Sequence, residues 1–185
     1  MPGKAIKKAN VRFNYHDYLL LPGEERYEIL DGDLFVVPAP GTKHQRLSTI
    51  LSAFLLKQLC RLGTVLAAPC DVLLSHEDIA QPDILFVRKE RCGIIGEQNI
   101  QGSPDLIVEI LSRSTREKDL SAKRKVYSKF GVREYWIIDP EKETIEVLVW
   151  SEIGYISVGN YGRLAKLCSP LLSGVRIPLS NIFQK

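Results

Sequence analysis

"SPDLIVEIL", residues 103–111, places one glutamate inside an otherwise apolar run. An apolar run of this length reads as a strand covered on both faces, at the centre of a sheet. Side chains alternate along a strand, so Asp105, Ile107, Glu109 and Leu111 share one face and Leu106, Val108 and Ile110 the other. Glu109 is thereby an acid in a core. A buried carboxylate has to be paired, protonated or bound to a metal.

The same Pro-Asp opening occurs in "QPDILFV", residues 81–87. Pro82 cannot donate a ladder hydrogen bond and suits the start of a strand. Asp83 alone fits turn chemistry. Strands close in sequence usually lie close in space, however, which would bring Asp83 to the strand of Glu109. Two carboxylates at that separation are what a hard cation such as Mg²⁺ takes, with waters completing its shell. Asp105, in the second Pro-Asp, reads as a strand-start residue.

Upstream, "RYEILDGDLFVV" (26–37) predicts an N-terminal β-hairpin about Asp31-Gly32. Between Lys43 and Leu62, apolar residues at 47, 50, 51, 54, 55 and 59 recur at helical spacing. "TVLAAPCDVLLS" (64–75) reads as one strand with Pro69 at a bulge or edge, and 89–103 as a polar connection. A helix is predicted over 114–130, opened by a Ser114/Glu117 capping box and stopped by Gly131. "EYWIID" (134–139) and "TIEVLVW" (144–150) form a strand pair about "PEKE", and the C-terminal "SPLLSGVRIPLSNIF" packs over an edge. The order predicts an α/β (α+β) domain, a mixed central sheet flanked by helices, over 25–185 behind an N-terminal segment, 1–24.

On the predicted helix, about 100° per residue puts Lys123 among Leu120, Val126, Tyr127 and Phe130, while Lys125 and Lys129 fall on the opposite side. Asp119 lies one turn before Lys123 and can pair with it. Periodicity leaves two readings open: Lys123 belongs to a site, or its stem crosses the core to put the amine in water.

Composition narrows the class. The chain has 185 residues, 45% hydrophobic and 25% charged, enough for one sizeable core. Its four cysteines form no CxxC pair, which argues against a zinc or redox motif and fits reduced thiols in a cytoplasm. No apolar segment approaches the roughly 18 residues of a membrane span. The net charge of +3 is uneven: residues 113–129 hold seven Lys or Arg against two acids, and Lys4, Lys7, Lys8 and Arg12 cluster at the start. A basic segment on an otherwise acidic body points weakly to a polyanion, and equally fits a solvated helix face.

"EILDGDL", His44, "QPDILFV", "PDLIVEILSRST", "DLSAKRKVYSKFGVREYWIIDP" and "SPLLSGVRIPL", in that order, resemble the Uma-two family of restriction-endonuclease-like proteins, within the PD-(D/E)XK superfamily. The resemblance runs from about residue 25 to 183 and implies a restriction-endonuclease-like core. It implies Asp83 and Glu109 as metal ligands for Mg²⁺ or Mn²⁺, the carbonyl of Ile110 as a further ligand, and Lys123 as the catalytic lysine. The lysine expected two residues after the glutamate is absent, since Leu111 stands there, and Lys123 matches a lysine moved to the following helix. Glu28 and His44 match family positions near the presumed site, with Asp119 as a further supporting residue that holds Lys123. The implied activity is a metal-dependent endonuclease cutting phosphodiester bonds in DNA, with Arg113, Arg116, Arg124 and Lys125 gripping phosphates and a homodimer supplying two sites for two strands. A catalytically inactive nucleic-acid-binding or regulatory protein that keeps the fold is the rival reading.

Overall fold

The computed structural model describes residues 11–184 together with a short strand, β1 (Ala5–Ile6); Lys4, Lys7 and Lys8 of the basic start lie outside the described residues. Two six-stranded sheets carry the fold. The first has the order β1-β3-β2-β6-β5-β8, from β2 (Arg26–Leu30), β3 (Asp33–Val37), β5 (Val72–Ser75), β6 (Asp78–Ala80) and β8 (Ile100–Gln101). The second has the order β12-β11-β10-β9-β7-β4. Its strands are β4 (Gly63–Ala67), β7 (Ile84–Arg88), β9 (Leu106–Ile110), β10 (Glu134–Asp139), β11 (Thr144–Ser151) and β12 (Gly154–Gly162). A ribbon of β13 (Lys166–Cys168) and β14 (Arg176–Pro178) completes the strands. The helices are α1 (Tyr15–Leu19), α2 (Thr42–Leu59), α3 (116–129) and α4 (Leu179–Ile182).

β9 lies between β10, which runs parallel to it, and β7, which runs antiparallel, and all five of its residues are buried. Leu106, Val108 and Ile110 pack into a core with Leu47, Leu51, Leu55 and Leu59 of α2 and with Leu179 and Ile182 of α4. Ile107 faces the other core, with Val126 and Tyr127 of α3. The run is apolar because both faces are covered, as the sequence predicts. The hairpin forms as predicted too: Asp31 (φ 51°) and Gly32 (φ 76°) both take the left-handed conformation that a tight two-residue hairpin turn needs.

Three local expectations fail. Residues 64–75 are two strands in different sheets, β4 and β5, because the chain turns at Ala68-Pro69 and Cys70. The Ser114/Glu117 capping box is absent. The helix starts after Thr115, which makes no side-chain cap, and the Thr115 N–H is taken instead by Ser112 Oγ at 3.2 Å. Leu120, placed by periodicity in the buried stripe, is 39% exposed. The reason is local winding: Asp119–Lys123 forms a π-helical turn inside α3. Gly131 (φ 68°) ends the helix as predicted, with Val132 N–H on the Tyr127 carbonyl and Gly131 N–H on that of Ser128.

Asp105 is more than a turn residue. It is fully buried, accepts the Arg88 N–H at 2.9 Å and pairs with Arg91 at 3.0 Å, tying the start of β9 to the end of β7.

Candidate active site

The site lies where β7 begins and β9 ends. The register Ile84↔Val108 sets Asp83 beside the last residues of β9, and Asp83 Oδ2 accepts the Ile110 N–H at 2.7 Å. His44, in the first turn of α2, brings Nε2 to 3.0 Å from the same Oδ2, while its Nδ1 is buried without a hydrogen-bond partner. Glu109 lines the same cleft and turns toward α3. There its Oε1 accepts from Lys123 Nζ at 2.8 Å and from Tyr127 Oη at 2.7 Å. The bonds of Asp83 thus run through Oδ2 and those of Glu109 through Oε1.

Lys123 is held by three acids. Its amine is 2.8 Å from Glu28 Oε1, 2.8 Å from Glu109 Oε1 and 3.7 Å from Asp119 Oδ1, with the side chain only 4% exposed. The sequence reading that aims it inward holds, and the open choice closes against an amine in water. Glu28, from β2 of the other sheet, is fully buried; it also takes the Gln81 N–H at 2.8 Å on Oε1 and bonds Lys118 through Oε2. Four carboxyls, Glu28, Asp83, Glu109 and Asp119, thus gather about two ammonium groups. Arg26, at the rim, is turned to the Pro38 carbonyl at 3.3 Å.

The electrostatics follow from that imbalance. Burial disfavours the charge on Lys123, but Glu109, Glu28 and Asp119 outweigh it and hold the amine protonated. Burial pushes Glu109 well up, and Asp119, Asp83 and Glu28 add to this against the opposing pull of Lys123. Burial would raise Glu28 as well, yet Lys123 and Lys118 win and bring it down to about 2. A carboxyl lowered on folding stabilises above its unfolded value, about 4.3 for Glu, and loses that contribution as pH falls through the folded value. The stability difference between wild type and Glu28→Gln, read from urea midpoints, is therefore expected to be level above about pH 5 and to shrink between about 4.3 and 2. A difference that stays level across that window would sink the assignment.

A cleft with about 90 Å³ of room for water-sized molecules is lined by His44, Gln81, Asp83, Glu109, Ile110, Ser112, Lys118, Asp119 and Lys123. At roughly 10–15 Å³ per water, it has room for several waters or a hydrated ion. Three buried polar atoms without a hydrogen-bond partner, His44 Nδ1, Gln81 Oε1 and Asp119 Oδ1, belong to residues that line it. Among the described residues, no three His, Cys, Asp or Glu side chains converge as a ready ligand set.

The structure therefore brings Asp83, Glu109, Ile110, Lys123, Glu28, His44 and Asp119 to one place. The proposed phosphate-gripping residues are more mixed. Arg113 is exposed in the turn before α3, but Arg116 is paired with Asp139 at 2.6 Å and Lys125 with Asp31 at 3.2 Å. Arg124 is half-buried near Tyr155. Sequence reasoning missed Tyr127, Gln81 and Lys118. Tyr127 was visible as an apolar-face residue, and nothing in the sequence gives its hydroxyl a partner. No described helix is long and apolar enough to cross a membrane.

A solved structure from Anabaena variabilis ATCC 29413, described as a putative nuclease belonging to DUF820, superposes with a TM-score of 0.77 over 92% of this chain and 97% of that one. At 19% identity the likeness establishes the fold. No curated protein sequence matches the chain. The family model described as "Putative restriction endonuclease" matches residues 15–180, nearly the whole chain, with the site inside it. The chain belongs to that family, Uma2.

Proposed function

We propose that the protein is a divalent-metal-dependent endonuclease that hydrolyses phosphodiester bonds in DNA. The observation that carries this reading is the excess of buried carboxyl over ammonium groups around a cleft of ion size. Coulomb repulsion among such acids is relieved by a cation, and Asp83 and Glu109 each have an oxygen outside the bonds named above, Oδ1 and Oε2. Two carboxylates and the Ile110 carbonyl suit Mg²⁺ or Mn²⁺, which keep several waters. An ion held there supplies Lewis-acid polarisation of a phosphoryl oxygen and a more acidic water.

The chain's own groups do the rest. Lys123 and Tyr127 fix the Glu109 carboxylate, and His44 and the Ile110 N–H fix that of Asp83. Lys123 also orients the water beside Glu109. In the reaction the water oxygen bonds to phosphorus and one P–O ester bond breaks. One proton of the water ends on the leaving oxygen and the other on the new phosphate or in solvent.

The rival is a protein that keeps the fold and binds nucleic acid without cutting it. Incubation of supercoiled plasmid with the protein in Mg²⁺, Mn²⁺ or EDTA separates the two. Nicking or linearisation in metal and none in EDTA is expected. DNA binding without cleavage in any metal would leave the rival standing. A homodimer in the cytoplasm, with one site for each strand, belongs to the same proposal.

A further inference from the structure

The geometry points to Lys118 as a catalytic residue of this site, the amine that meets the phosphate being cut. The inference rests on the nuclease reading and adds a residue to it.

Lys123 is poorly placed for that task. An ammonium has three N–H groups; Glu28 and Glu109 hold this one at 2.8 Å each, Asp119 stands 3.7 Å away, and the side chain is only 4% exposed. To reach a phosphate it would have to leave carboxylates that are themselves buried. Lys118 differs on each count. One acid, Glu28, holds it, its side chain is 10% exposed, and it lines the cleft together with Asp83 and Glu109. Its remaining contact is soft: the amine lies 5.8 Å from the centre of the Phe35 ring. A ring face stabilises a cation without taking a directed N–H bond. That leaves donors for an anion entering the cleft.

The winding of α3 puts it there. In an α-helix, residues five apart are about 140° apart around the axis, so Lys118 and Lys123 would face different ways. The π-helical turn at Asp119–Lys123 bonds i to i+5 and turns residues five apart toward the same side. Both amines thereby reach the two oxygens of one carboxylate, Lys123 on Glu28 Oε1 and Lys118 on Oε2. Glu28 acts as the common anchor: Lys123 is kept for the metal-side carboxylates and Lys118 is presented to the cleft. Developing negative charge on the phosphate is what such a preorganised amine stabilises.

The test uses the full chain with Lys118→Ala, Lys118→Arg and Lys118→Gln, the last retaining a hydrogen-bond donor to Glu28 without the charge. Single-turnover cleavage in Mg²⁺ is expected to fall on the order of 10²-fold in Lys118→Ala and Lys118→Gln, with substantial recovery in Lys118→Arg. Mn²⁺ affinity, by calorimetry, is expected to stay within a few-fold of wild type. Binding of a labelled single-stranded oligonucleotide in EDTA gives a second readout. The slope of log affinity against log salt is expected to drop by about 0.7 for the loss of one phosphate contact. A variant that folds and cuts at the wild-type rate overturns the inference. So does loss of cleavage that tracks an equal loss of Mn²⁺ affinity or stability in Lys118→Gln, since Lys118 then acts through Glu28 alone. Wild type that cuts nothing in any metal overturns the nuclease reading, and this inference falls with it. An active wild type with unaffected Lys118 variants overturns only this one.

Discussion

Asp83→Ala is expected to leave the protein folded and to lower metal-dependent DNA cleavage by on the order of 10³-fold, the scale of losing one preorganised electrostatic group at a reacting centre. The fold survives because Asp83 sits at the mouth of the cleft, its side chain 17% exposed. What it satisfies, the Ile110 N–H, turns into a space that admits water, so the structural cost is about 1 kcal/mol. The chemical cost is larger because the proposed ion loses one of its two carboxylates. Mn²⁺ affinity is expected to fall with the rate, and calorimetry reads that independently of turnover. Asp83→Asn sharpens the test: it can still accept from Ile110, yet it lacks the charge, and it should be as inactive as the alanine variant. An alanine variant that cuts within a few-fold of wild type would end the case for Asp83 as a ligand.

Lys123→Ala is expected to have the largest effect on stability, a loss of about 3–5 kcal/mol in urea unfolding, the range for removing one partner of a buried ion pair. Its amine faces three buried acids from β2, β9 and α3, and no other charge in the site can replace it at Glu109. Two further outcomes distinguish charge from lost packing. Lys123→Met keeps the stem and should be destabilised almost as much. Lowering the pH should restore part of the loss, because burial already pushes Glu109 upward. A carboxyl raised on folding contributes stability at low pH and loses it as pH rises through its folded value. Millimolar Mg²⁺ should also stabilise Lys123→Ala more than wild type, by binding the native state. A variant within about 1 kcal/mol of wild type in urea would show that the amine carries no such burden.

Much of this protein was legible before its fold. The hairpin about Asp31-Gly32, helix α2 and the buried strand of Glu109 follow from periodicity and from residues that tolerate left-handed backbone. These are local rules, in which the residue types in a short window decide. Asp83 beside Glu109 needed one long-range assumption, that neighbouring strands pair, and the β7–β9 register meets it. The failures also have local causes. Leu120 and the Ser114 cap were misplaced because an ideal α-helix was assumed where the chain makes a π turn and starts its helix after Thr115, whose N–H goes to Ser112 Oγ. The basic face looked continuous along the sequence, but Arg116 and Lys125 face acids from β10 and the hairpin turn, which charge counting along one segment cannot see.

Several motifs in a set order carry the family, and the alternation of one segment carries the central acidic strand with Glu109 in it, whereas Lys123 stayed between two readings and Asp83 depended on strand pairing. What those groups touch depends on how distant segments pack. The tertiary structure set Glu28 from the first sheet behind Lys123, closed Tyr127 onto Glu109, and wound α3 so that Lys118 leaves the solvent face and enters the cleft. Ion pairing in a core depends on distances between segments far apart in the chain, from Glu28 on β2 to Lys123 on α3, and no periodicity carries that information.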